Sequence, residues 1–143
     1  MEIILKRVTD SDFNFLYELL ETREDYENIS HTKMPNFKEH EKFCKSSPYQ
    51  FWYIIYDNKI KMGAAYISKI DEISIHLLPN FKKEMIHTKI LKLLINKHPR
   101  SRYLVNVSNK NKKLMSMYMK NKFKLIQYTF ELQKKMNNHE KEN

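Results

Sequence analysis

Asp71-Glu72-Ile73-Ser74-Ile75-His76-Leu77-Leu78-Pro79-Asn80-Phe81, continued by Lys82-Lys83-Glu84-Met85-Ile86-His87 and Thr88-Lys89-Ile90-Leu91, holds the change of period that decides the fold. Ile73, Ile75 and Leu77 alternate with Glu72, Ser74, His76 and Leu78, which is the period of two of a strand. Pro79 ends it, because proline brings no N–H to a ladder. From Met85 the period changes, and Ile86, Ile90, Leu93 and Leu94 recur at helical spacing. A strand therefore passes through a short basic loop into an amphipathic helix. The first N–H groups of such a helix lack intrahelical partners and can face an anion.

Upstream, Glu2–Val8 reads as a strand, and Thr9 with Asp12 forms a capping signature for a helix carrying Phe13, Leu16, Tyr17 and Leu20 on one face. That helix frays into Glu21–Asp25, and Tyr26–Pro35 reads as a loop. Asn36 with Glu39 opens a second helix, with Phe37, His40, Phe43 and Cys44 inward, and Ser46-Ser47-Pro48 closes it. Tyr49–Tyr56 is a dense aromatic and β-branched run, a buried strand. Asp57-Asn58-Lys59 turns it into a hairpin with Ile60–Ser68, inside which the only glycine, Gly63, marks a bulge or a close approach.

Downstream, His98-Pro99-Arg100-Ser101 breaks the central helix, Tyr103–Val107 is a short apolar strand, and Leu114, Met117 and Tyr118 share a helical face. Phe123–Leu132 has the composition of a last strand, and the polar tail Gln133–Asn143 reads as disordered. The order β-α-α-β-β-β-α-β-α-β predicts an α/β (α+β) domain over residues 1–132. Its sheet is mixed, mostly antiparallel and twisted, with helices on its faces.

Composition narrows the function. The 143 residues suit one domain with one real core, and no apolar run approaches the length of a membrane span. The apolar part of Met1–Arg7 is too short for a signal peptide, and a single cysteine, Cys44, rules out an internal disulfide framework. Both point to the cytoplasm. Cys44 has no identifiable histidine partner at a fixed spacing and reads as a small helix-face residue. His31, His40 and Cys44 show no metal-ligand spacing, so no metal is expected. A net charge of +9 suits an acidic partner such as nucleic acid or a phosphate-rich cofactor, although an excess of lysine and asparagine over glycine also gives plain solvated surface.

The strand ended by Pro79, the basic turn and the apolar helix resemble the acetyl-CoA-binding core of the GCN5-related N-acetyltransferases, and the element order is similar over residues 1–132. In that family the turn reads Arg/Gln-x-x-Gly-x-Gly/Ala. Here Lys82 holds the basic position, and Met85 and His87 stand where the small residues are usual. Asn111, Tyr118 and Phe123 are similar to the family's Asn-x-x-Ser/Ala-x-x-x-Tyr-x-x-x-Gly-Phe pattern, with Leu114 at the small position and Lys122 at the glycine.

The resemblance implies transfer of an acetyl group from acetyl-CoA to a primary amine of a small molecule or protein. It implies cofactor contacts at Lys82, Lys83, the amides of Met85, Ile86 and His87, an amide of the central strand at Leu77, and Asn111. It implies Tyr118 as the acid for the departing thiolate and Glu72 as the base for the amine. Each residue also has a plainer reading: Lys82 and Lys83 as solvated charges, Asn111 as a helix cap, Tyr118 as part of an apolar face, Glu72 as an exposed strand end. His76 shares the face of Glu72 and reads as a proton relay or a half-buried structural histidine. The alternative function is a degenerate member acting as a binding or regulatory module on a nucleic acid or other acidic partner. For that reading Phe51-Trp52-Tyr53 would stack on bases; the same run beside Ile54 and Ile55 also reads as core.

Overall fold

The computed structural model describes residues 1–27 and 33–135. Strand β1 (Ile3–Arg7) leads into helix α1 (Phe13–Glu21), then α2 (Phe37–Lys45), β2 (Phe51–Asp57), β3 (Ile60–Ile67), β4 (Glu72–Leu77), α3 (Glu84–Lys97), β5 (Leu104–Val105) and α4 (Lys112–Lys120). The sheet runs β1-β2-β3-β4-β5; the first four strands are antiparallel and β5 lies parallel to β4. Residues 28–32, within the expected loop and including His31, lie outside the described residues, as do residues 136–143 of the tail.

Local signals place the helices. The Asp12 carboxylate accepts the Thr9 N–H at 2.9 Å ahead of α1, and Asn36 Oδ1 accepts the Glu39 N–H at 2.8 Å at the start of α2. Strand alternation then sorts two cores onto opposite faces of the sheet. Ile86, Ile90, Leu91 and Leu94 of α3, with Met117 and Tyr118 of α4, bury Tyr53, Ile55, Ile73 and Leu77. On the other face Phe13, Leu16 and Leu19 of α1 and Cys44 of α2 cover Ile54 and Ala64. Tyr53 is 1% exposed, and Phe51 and Trp52 pack at the margins of the two cores, so the aromatic run belongs to the core rather than to a base-stacking surface.

Gly63 realises both readings of a strand glycine. Ile55 pairs with Gly63 but Tyr56 pairs with Lys61, leaving Met62 as the extra residue of a bulge. A Cβ at Gly63 would stand 2.1 Å from the His76 carbonyl oxygen and 2.9 Å from the Leu77 Cα. Only glycine lets β3 approach β4 this closely.

The expected last strand does not form. Residues 123–135 carry no strand pairing, and Leu125, Ile126, Tyr128, Phe130 and Leu132 are 65–90% exposed. Composition set the strand character of this segment, but a strand also requires a neighbouring edge, and none pairs with it among the described residues.

Candidate active site

The site begins where the sheet opens. Strands β4 and β5 pair only at Glu72–Leu104 and Ile73–Val105; beyond this, Asn106–Ser108 part from Ser74–Leu77. The Glu72 carbonyl accepts from Ser68 N and the Leu78 N–H reaches Met62 O, so the even-numbered peptide groups of β4 face β3. By alternation the amides of Ile75 and Leu77 face the opening, where β5 no longer supplies acceptors. The resulting cleft encloses about 350 Å³. Glu72, Ser74 and His76 line it from β4, Asn106 from beyond β5, and Asn111 and Tyr118 from α4.

Tyr118 is 5% exposed, and its hydroxyl lies 3.0 Å from His87 Nε2. Burial pushes the phenol well above its ordinary range and lowers the His87 imidazole to about 4, so both are neutral near pH 7. The phenol therefore keeps its proton, and the imidazole holds the hydroxyl oxygen in place. Asn111 Oδ1 accepts the Leu114 N–H at 3.2 Å, which makes it the cap of α4, and its side chain also borders the cleft. The Glu72 carboxylate accepts from the Asn106 side-chain amide, and the Glu72 backbone N–H donates to the Ser68 hydroxyl at 3.1 Å. Asn106 was not anticipated, because its partner is set by the register of a two-residue strand.

His76 lies at a junction. It lines both this cleft and a cavity of about 860 Å³ on the α1–α2 side, which is walled by Leu16, His40, Tyr49, Trp52 and Tyr66. Its Nε2 is buried without a hydrogen-bond partner among the described residues. Burial, with Arg23 next in weight, lowers its pKa to about 4, leaving a neutral imidazole. Arg23, Tyr49 and Tyr66 border both spaces, and the two tyrosine rings stack at 3.6 Å. Arg23 is silent in the sequence, since nothing in the spacing of Glu21–Asp25 marks it.

The basic turn is arranged differently from the expectation. Lys82 Nζ is held by the Glu27 carboxylate at 2.6 Å, and the His87 N–H is taken by the Lys83 carbonyl at 3.0 Å. The His87 contribution is thus its side chain on Tyr118, not its amide. The N–H groups of Glu84, Met85 and Ile86 have no acceptor among the described residues, so the free amides begin one residue earlier than expected. Neither Met85 nor His87 has a positive φ, so the missing glycines cost no backbone strain. What they change is space: the Met85 side chain, 70% exposed, stands at the helix start, and Glu84 adds a carboxylate there that pairs with Lys120 at 3.4 Å. Lys83 forms no ion pair among the described residues.

No group of three His, Cys, Asp or Glu side chains that could hold a metal occurs among the described residues. Cys44, for which the sequence offered no histidine partner, has one a helical turn earlier: its Sγ lies 3.4 Å from His40 Nε2. Burial pushes the thiol up to about 11, so it packs as a small apolar group and is a poor nucleophile.

Solved structures of acetyltransferases share this fold. An acetyltransferase from Thermus thermophilus superposes with a TM-score of 0.71 at 12% identity, over 88% of this chain and 89% of that one. A predicted acetyltransferase from Clostridium acetobutylicum, solved with acetyl-CoA, gives 0.67 at 16% identity over 92% and 96%. The N-acetyltransferase PseH of Campylobacter jejuni, in complex with acetyl coenzyme A, gives 0.65 at 17% identity over 90% and 92%. No family profile matches the chain, and no curated protein matches it in sequence. The fold is that of the GCN5-related N-acetyltransferases, a single α+β domain built on a five-stranded mixed sheet.

Proposed function

We propose that this chain is an N-acyltransferase that moves an acetyl group from acetyl-CoA to a primary amine. The observation that carries this reading is the opening between β4 and β5, where unpartnered strand amides, a protonated Tyr118 hydroxyl and a neutral His76 surround one cleft. The three free N–H groups at the start of α3 and Lys83 suit the coenzyme's phosphates. Acetyl-CoA supplies the acyl group as a thioester, whose sulfur departs as a thiolate.

The residues divide the remaining work. The N–H groups of Ile75 and Leu77 are fixed donors toward an acyl oxygen lying along β4. Tyr118 holds its proton on Oη for the departing sulfur; with His87 as the Nε2–H tautomer donating to Oη, that O–H is free to turn to the sulfur. Glu72 and His76 are acceptors on the face from which an amine would arrive. His76 lines the larger cavity and Glu72 does not, so its neutral, unpartnered Nε2 can accept a hydrogen bond from the incoming amine or from a water beside it. The apolar and aromatic wall of that cavity suits the body of the acceptor. The free, buried thiol of Cys44 supports work in the reducing cytoplasm. Among the described residues no helix is long and apolar enough to cross a membrane.

The second reading is a binding module that keeps the fold without turnover. It is favoured by the Glu84 carboxylate at the helix start, which repels phosphate, and by the engaged Lys82. Calorimetric titration with acetyl-CoA separates the two. Micromolar binding that Lys83→Ala weakens about tenfold, the loss of one charge-assisted contact, supports the enzyme. Absence of binding at millimolar acetyl-CoA overturns it and leaves the module.

A further inference from the structure

We propose, on the strength of the acyl-transfer reading, that Arg23 selects the acceptor by a carboxylate, and that the acceptor is an α-amino acid with a large apolar side chain. Arg23, Tyr49, Tyr66, Ser74 and His76 border both the cleft and the larger cavity. On that shared wall an acyl donor lying along β4 and an amine held in the cavity would meet. Arg23 carries its only permanent charge. An anion bound by Arg23 and an amine beside His76 thus lie a few atoms apart, the spacing of an α-amino acid. The rest of the cavity, about 860 Å³ with Leu16, Leu19, Phe43 and Trp52 in its wall, takes an apolar side chain.

The end of α1 fixes where Arg23 starts. The Thr22 hydroxyl donates to the Leu19 carbonyl at 2.6 Å, and the Arg23 N–H to the Leu20 carbonyl at 3.2 Å, so its backbone closes the last helical turn. Arg23 is half-buried, whereas Glu21, Lys33 and Glu39, the other charged residues of the cavity, are exposed and stand at its rim. Among the described side chains Arg23 joins no ion pair, and Glu27, which lines the cleft with it, is committed to Lys82. A half-buried guanidinium without a counter-charge is costly, and a carboxylate supplies one through two parallel N–H···O bonds. The Arg23 charge also reaches its neighbours. Burial raises the Tyr49 and Tyr66 phenols and Arg23 works against it; at His76 it adds to burial in lowering the imidazole. That field repels an ammonium arriving alone and admits one that brings a carboxylate with it. A phosphate dianion fits less well, because Glu27 and Glu72 line the cleft and no second cation does among the described residues.

Titration calorimetry on the full chain with L-phenylalanine, L-phenylalaninamide and phenethylamine, with and without coenzyme A, tests this. The acid is expected to bind about tenfold more tightly, or better, than either analogue, the worth of one charge-assisted bidentate contact. Arg23→Gln is expected to remove that preference by weakening the acid alone, and its unchanged binding of the two analogues shows that it is folded. The comparison within the parent chain stands without the variant. Equal affinity for acid and amine overturns the proposal, as does a preference that survives Arg23→Gln, or no binding of any of the three. Acetyl-CoA that fails to bind while the Arg23-dependent preference persists overturns the acyl-transfer reading alone and leaves the carboxylate site.

Discussion

Lys122 holds a left-handed conformation, φ 70°, at the position where the resembling pattern carries glycine. A Cβ in that region meets the carbonyl oxygen, at a cost of roughly 1–2 kcal/mol that glycine avoids. Lys122→Gly is therefore expected to stabilise the fold by about 1 kcal/mol, allowing for the larger backbone entropy of glycine, read as a rise in the urea midpoint. Met85 and His87 show the opposite case, since their backbones are ordinary. Departures from glycine that look alike in sequence thus differ physically, Lys122 in its backbone and Met85 and His87 only in the space they fill. At Tyr118, loss of the hydroxyl in Tyr118→Phe is expected to lower kcat by roughly 10²-fold or more while the Kd for acetyl-CoA barely moves. An unchanged kcat would remove this hydroxyl from the reaction. The two imidazoles give a pH signature. His76 and His87 titrate near 4 in the folded chain against 6.5 for an unperturbed histidine, so unfolding takes up protons between those values. Their contribution to stability is complete above about pH 6.5 and is lost as pH falls toward 4, together roughly 1–3 kcal/mol after relaxation is allowed for. Thermal denaturation from pH 7.5 to 5 would show it, and His76→Gln/His87→Gln should flatten that dependence.

Among the elements, those with a signal in their own residues were legible. Asn36 and Glu39 cap a helix wherever they occur together before an apolar stripe, and the Ile73–Leu77 alternation needs no partner to be read. Elements defined by a neighbour were not. Residues Phe123–Leu132 have strand composition without a strand, because pairing is a property of two segments. The cleft was hidden for the same reason: it exists because β5 stops pairing after Val105, and nothing in Asn106-Val107-Ser108 announces a departure. The bulge at Met62 lies between the two cases, since Gly63 marked the place but not the 2.1 Å approach that demands it. Gly63→Ala is expected to cost roughly 2–4 kcal/mol, because backbone rather than a flexible side chain lies in the way. It would also push the His76–Leu77 peptide toward the cleft. Acetyl-CoA affinity should therefore fall in whatever fraction remains folded, a change visible by calorimetry.

At the scale of the molecule, the sheet separates two tasks. One face, under α3 and α4, is closed by a continuous apolar core; the other, under α1 and α2, leaves a cavity against the same strands. Strand β4 is common to both, and this is why one strand carries Leu77, His76 and Glu72 with different surroundings. The Lys82–Glu27 pair, at 2.6 Å and largely shielded from solvent, fastens the segment after α1 to the turn before α3. A single ammonium there faces two claimants, the Glu27 carboxylate and any phosphate arriving at the turn. If phosphate takes Lys82, Glu27 is released, and the cavity wall that follows α1 is freed with it. Thermodynamic linkage makes this exchange reciprocal: an acceptor that requires the segment released would tighten acetyl-CoA by the same factor that acetyl-CoA tightens the acceptor. Glu27→Gln should then raise acetyl-CoA affinity in the absence of acceptor and erase the mutual tightening, so that the coupling between the two sites rests on one ion pair.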